Sequence, residues 1–217
     1  AINALGDVDA IVATLGSTTG IQTLTGASLD GVVGDDEMFP PRNVTMTFSN
    51  HSDWDATTAV ITGLDENGVS TSESLSIPNG GNAAVTGSTK FKSIVSVVIP
   101  AQTGTGGTAT VGFGALLGAV DHLVAGIVER DATRTAVNYA ADELVPVGRV
   151  GEYFATSEDA VTEGAPVWVR MVVSGAEVLG ALRATPDEND CVRLKNVRWS
   201  SANAAGLSRL ELNLPAG

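Results

Sequence analysis

The chain has 217 residues, of which 43% are hydrophobic and 17% charged, with 25 glycines and a formal net charge of −13. This is enough apolar material for a sizeable core, which excludes a disordered chain, and few charges with abundant glycine suit short strands and tight turns better than helices. The negative balance argues against sequence-independent binding to nucleic acid and against an anionic membrane as partner, since both need a basic face.

The acid is concentrated early: residues 1–125 hold three basic against twelve acidic residues, and residues 126–217 hold nine against thirteen. The lone Cys191 excludes an intrachain disulfide framework and reads as a small apolar filler beside Val192, as in a protein made in a reducing cytoplasm. No run reaches the 18 apolar residues of a membrane span, and no basic region followed by an apolar one trails Ala1, so the expectation is a soluble protein.

Residues 1–40 are rich in Gly, Thr and Asp, with a short amphipathic stretch from Val8 to Leu15 that suits helix or strand; the segment reads as an extended, arm-like one. After Pro40 and Pro41 the pattern sharpens. Val44, Met46 and Phe48 alternate with Asn43, Thr45 and Thr47, a second strand runs from Ala59 to Thr62, and Asn67-Gly68 gives a strong hairpin signal before Val69, Thr71, Glu73, Leu75 and Ile77. Phe91 to Ile99 and Ala109 to Phe113 add two more strands. Five strands without a helix between them predict an antiparallel β-sandwich over residues 41–120, with Phe48, Phe91 and Phe113 in its core. Trp54, within Ser-Asp-Trp-Asp, is either a lid on that core or a candidate surface aromatic.

Gly114 to Arg134 is the one segment with helical character, weakened by Gly114, Gly118 and Gly126, and the domain boundary is placed near residue 120. Strands follow at Glu143 to Val147, Gly151 to Ala155, Pro166 to Val173 and Val178 to Arg183. Val192 and Leu194 share one parity, whereas Val197 and Trp199 take the other, which predicts a bulge near Lys195-Asn196. Leu210, Leu212 and Leu214 alternate with Glu211 and Asn213. The expected fold is thus all-β: an N-terminal antiparallel β-sandwich followed by a small C-terminal β-barrel over residues 121–217.

No constellation points to catalysis, a cofactor or a metal. Val111-Gly-Phe-Gly-Ala-Leu-Leu-Gly118 has glycines that in a dinucleotide fingerprint would admit a pyrophosphate, with Glu129 downstream, but its spacing is wrong and no βαβ unit surrounds it. The acidic runs at Asp35, Asp65 and Asp187 lack the spaced ladder of a calcium loop and read as solvated turns. His51 and His122 have no partner at zinc-helix spacing, and His51-Ser52-Asp53 cannot form a triad from adjacent positions.

The chain instead reads as a binding protein. Behind Pro166, Val167, Val169, Met171 and Val173 fall on one strand face and Trp168, Arg170 and Val172 on the other, placing an aromatic beside a guanidinium as contact surfaces do. Arg183, Arg193, Lys195, Arg198 and Arg209 lie on the last strands around Trp199, either as a solvated face or as a footprint for an acidic partner. The candidate interface anchors are Trp168, Arg170, Arg193, Lys195, Arg198 and Trp199.

From Leu123 onward the chain resembles the structural cement, or head decoration, proteins of tailed bacteriophages. The likeness is carried by Gly126-Ile-Val-Glu-Arg-Asp131, Tyr139-Ala-Ala-Asp-Glu-Leu-Val-Pro-Val147, Arg149-Val-Gly-Glu-Tyr-Phe154, Val161-Thr-Glu-Gly-Ala-Pro-Val-Trp-Val169, Leu194-Lys-Asn-Val-Arg-Trp199 and the strand Leu210 to Leu214, roughly the last ninety residues. The resemblance implies a non-enzymatic β-barrel on the outer surface of the capsid of the virion, often a homotrimer, with the major capsid protein as partner. Residues 1–120 are not part of the short cement proteins. Two other readings stand beside this one: a displayed module for host glycans or surface proteins, motivated by Trp54 between Asp53 and Asp55, and a tail structural protein.

Overall fold

The structure, a computed structural model, describes residues 6–15, 19–49, 53–54, 57–77, 83–104, 106–120, 127–128, 147–172 and 177–213. Apart from one 3-10 turn at Gly26–Ser28, every regular element among them is a strand. The chain divides into two compact units, Ala1–Ala119 with Glu188–Asp190, and Val120–Asp187 with Cys191–Gly217.

The first unit is one antiparallel sheet of seven strands: β1 (Asp7–Leu15), β2 (Gln22–Thr25), β3 (Arg42–Ser49), β4 (Thr58–Asp65), β5 (Ser70–Ser76), β6 (Ala83–Ile99) and β7 (Thr108–Leu117). Their order is β1-β7-β3-β6-β4-β5, and β2 also pairs with β6. Period-two patterning places Val44, Met46 and Phe48 of β3 at full burial. Ala59 and Ile61 of β4 and Leu75 of β5 join the same hydrophobic cluster. Asn67-Gly68 turns β4 into β5: Gly68 donates to the Asp65 carbonyl at 2.9 Å and has φ +76°, a backbone conformation that only glycine adopts freely.

β6 is the organising strand. Its Ala83–Phe91 portion pairs with β3 and its Phe91–Val98 portion with β4, and register shifts on both partners mark bulges that bend the sheet. Side chains from all seven strands meet in one cluster, so the sheet curls around a single core.

Two segments depart from the sequence expectation. The arm-like reading of residues 1–40 fails because Asp7–Leu15 pairs with β7, Gln22–Thr25 pairs with β6, and Ala10, Ile11, Val12, Leu24 and Leu29 are buried in the core. The helical character read from Gly114 onward is absent through Leu117, which continues β7; residues 121–126 and 129–146, including His122, Glu129 and the strand expected from Glu143, lie outside the described residues, as does His51.

The second unit contains a short ladder of β8 (Ile127–Val128) on β9 (Val147–Gly148) and a closed barrel of β10 (Val150–Ser157), β11 (Pro166–Arg170), β12 (Leu182–Arg183), β13 (Cys191–Trp199) and β14 (Gly206–Asn213). The barrel order is β10-β12-β11-β13-β14, closed by antiparallel pairing of β14 with β10. Val167, Val169, Val192, Leu194, Val197, Trp199, Leu210 and Leu212 are all buried. The expected bulge is present: Pro166 pairs with Arg198 while Val167 pairs with Leu194, so β13 carries extra residues that let Leu194 and Val197 both turn inward.

Candidate interaction surface

The sequence-derived anchors separate into two groups. Trp168, Arg170 and Trp199 are buried, with Arg170 only 1% exposed, and they are withdrawn as contact residues. Alternation along β11 predicted one free face, yet both are covered, because acidic loops close over the guanidinium. Arg170 Nε and Nη2 bond the Glu158 carboxylate at 2.8–3.3 Å, and Nη1 lies 2.8 Å from Glu177 Oε2. Arg183 joins the group through Asp187 at 3.0 Å. A guanidinium neutralised in this way tolerates burial. The Glu158 hydrogen bond is the main reason that Arg170 is held protonated even more firmly than usual, outweighing its desolvation.

Two further groups titrate abnormally beside this cluster. Burial pushes the Cys191 thiol up to about 11, against the opposing field of Arg170. For Asp159, burial acts to raise the carboxyl pKa, but bonds from the Thr185 side chain, the backbone N–H groups of Ala184 and Thr185, and Ser157 outweigh it and hold the group below its ordinary value. Both groups thus belong to the same network of charges and hydrogen bonds as Arg170 and Arg183.

Trp54 is also withdrawn as a surface aromatic. The Asp53 carbonyl accepts Thr103 N–H at 2.6 Å and its carboxylate accepts Gly106 N–H at 3.1 Å, which pins the segment down and turns the indole inward. There it lies edge-on to Phe48, with ring centroids 5.3 Å apart at 67°.

Arg193 and Arg198 are exposed and Lys195 is half-buried. Lys195, Asn196, Arg198, Glu211 and Asn213 line a groove of about 270 Å³ at the bulge. Beside it runs the outward face of β10 and β14, where the register sets Val150, Glu152, Phe154 and Thr156 opposite Asn213, Glu211, Arg209 and Leu207. Phe154 is 69% exposed and Leu207 63%, and their pairing partners make them diagonal neighbours. Ion pairs flank them: Arg198 Nε and Nη2 bond Glu211 Oε2 at 2.8 and 2.7 Å, and Arg209 Nη1 lies 3.5 Å from Glu152. Three cations (Lys195, Arg198, Arg209) against two carboxylates (Glu152, Glu211) leave the groove and the face beside it with a small basic excess on a chain of net charge −13, while exposed Arg193 pairs toward β11.

Phe154 and Leu207 escaped the sequence reading. A signal was present: Leu207 shares the parity of Arg209 and Glu211, not that of Leu210 and Leu212, so an apolar residue stood on the charged side of its strand.

Among the described residues no group of His, Cys, Asp or Glu side chains is arranged to hold a metal ion. No protein-family model matches the chain, and no curated protein or solved structure is significantly similar to it.

Proposed function

We propose that this chain is a non-enzymatic structural protein of a tailed-phage virion that binds the outside of the capsid and fastens neighbouring major capsid protein subunits, acting as a homotrimer. The observation that carries this reading is the outward face of β10, β13 and β14, where exposed Phe154 and Leu207 sit beside a locally basic groove on an otherwise acidic protein. An aromatic anchor within a rim of arginines is the composition of a protein contact surface, and the basic excess suits an acidic patch on the shell. The resemblance of the second half of the chain to structural cement proteins supports the major capsid protein as that partner.

A fastener of this kind needs no turnover. Contacts of about 1,600 Å² repeated by symmetry favour the assembled shell by mass action, because the protein engages subunits only when they are correctly placed. The glycan reading has lost its motivation with the burial of Trp54.

Co-sedimentation of the purified chain with capsids that lack it provides the test. Wild type is expected to co-sediment, and Phe154→Ser with Leu207→Ser to remain in the supernatant. Wild-type protein that stays in the supernatant, or a double variant that binds equally well, overturns the proposal.

A further inference from the structure

The first unit carries a second surface feature, a cleft of about 330 Å³ whose floor is formed by Phe113 and Arg42 and whose walls include Val32, Met38 and Phe39. The Arg42 guanidinium is buried, 4.9 Å from the centroid of the Phe113 ring, and Nη1 donates to the Gly114 carbonyl at 3.4 Å. Of the walls, Met38 is buried, but Val32 is 93% exposed and Phe39 is also open to solvent.

Val32 stands out because the loop beneath it is fixed. Gly31 donates to the Ile11 carbonyl at 3.0 Å, Val33 and Gly34 donate to the Ala10 carbonyl at 2.7 and 3.0 Å, and Asp30 accepts Ala13 N–H at 3.0 Å. A Cβ at Gly31 would lie 2.2 Å from the Ala10 carbonyl oxygen, so only glycine lets the loop lie this close to β1. Val33 packs against the core, which leaves its neighbour Val32 directed away from it. The apolar ridge is therefore preformed, and little ordering cost opposes its use.

Acidic residues outnumber basic ones around the cleft. Asp7 and Glu37 line it, and exposed Asp9, Asp30, Asp35 and Asp36 stand within a few residues of its lining on β1 and the loop; the cations are Lys92, paired with Glu37 at 2.9 Å, and the buried Arg42. The crowding is felt at Asp9, whose pKa is raised chiefly by its hydrogen bond with Asp7. The chain's net charge of −13 opposes the approach of a second copy to this face.

We propose that this cleft receives an extended segment of another protein that bears a large apolar side chain flanked by lysine or arginine. The apolar group seats between Val32 and Phe39 above Phe113, and the flanking cations lie against the carboxylates of β1 and of the loop, where low salt strengthens them. The inference is independent of the capsid assignment, since it uses no residue of the barrel.

The test uses the full chain and a fluorescently labelled eight-residue peptide of alternating lysine and leucine, with anisotropy as the readout and a glutamate–leucine peptide as control. Binding that weakens with salt is expected for the lysine peptide. Val32→Ser, which removes apolar surface without altering charge at a residue that packs on little else, should weaken it about ten-fold, in line with the burial of one aliphatic side chain. Asp35→Asn with Asp36→Asn should weaken binding and flatten its salt dependence, and Phe154→Ser should leave it unchanged. Absence of binding, equal binding of the glutamate peptide, or indifference to Val32→Ser overturns the proposal, as does self-association in sedimentation velocity that Val32→Ser abolishes, which would make a second copy the occupant.

Discussion

In the curled sheet the largest fully buried side chains are Trp54, Phe48, Phe91 and a set of isoleucines, whereas in the barrel they are Trp199 and Arg170. The sheet gathers apolar groups from seven strands into one cluster. The barrel has five short strands, two of them contributing only five and two residues, and encloses a smaller interior. Beside that interior it holds loops together with Arg170, Glu158, Glu177 and Asp187, and a second cation, Arg183, closes the group. The contrast shows two routes to a rigid body: apolar area where a large sheet supplies it, and directional charge-assisted bonds where a small barrel does not.

Emptying each interior in turn should have the largest effects. Trp54→Ala should cost about 3–5 kcal/mol, the usual loss for a buried large aromatic, and denaturant unfolding followed by hydrogen exchange should place the loss in β3, β4, β6 and β7. Arg170→Ala should cost slightly less, toward the low end of the about 3–5 kcal/mol seen when one partner of a buried pair is removed, because its carboxylates are 26–37% exposed and regain water. Its exchange signature should appear in β11, β12 and the loop at Glu158. If both substitutions loosened the same strands, the two interiors would not be distinct.

Acid should separate the units more gently. Asp159 has a folded pKa below its ordinary value of 3.8, so its contribution is complete above that value and is lost as pH falls through the lower, folded pKa. The barrel should therefore lose stability on titration below about pH 4, and Asp159→Asn should lower stability at neutral pH while flattening that acid dependence. Thermal unfolding followed from pH 7 to pH 3 checks both.

Smallest in energy is the behaviour of Cys191. With its thiol buried and pushed up to about 11, it should resist iodoacetamide at pH 8 in the native protein and react at once in denaturant. Rapid native labelling would mean that the Arg170 end of the barrel opens readily.

Much of this architecture was readable residue by residue. Alternation along Val44, Met46 and Phe48, the Asn67-Gly68 turn and the parity switch between Leu194 and Val197 are local signals, and each has a local structural counterpart. What escaped was decided by tertiary partners. Alternation shows that Trp168 and Arg170 share a face but not that Glu158 and Glu177, in the loops before and after the strand, fold over it. The polar opening of β6, Ala83 to Lys90, has little apolar signal of its own and is held as strand by β3. Residues 7–15 looked ambiguous because their strand is defined by β7, a hundred residues away. The candidate face was half legible: Lys195 and Arg198 stood out by charge, while Phe154 and Leu207 became visible only once register placed them on the outward side.

The proposed fastening of a virion shell by the exposed barrel face can be read from the rupture temperature of particles assembled with wild-type protein, without it, and with Phe154→Ser, Leu207→Ser. Since both side chains are largely exposed, the variant should match wild type in its own stability within about 0.5 kcal/mol. Particles lacking the protein, and those supplied with the variant, should rupture at the same lowered temperature; identical rupture temperatures for all three would rule the fastening out.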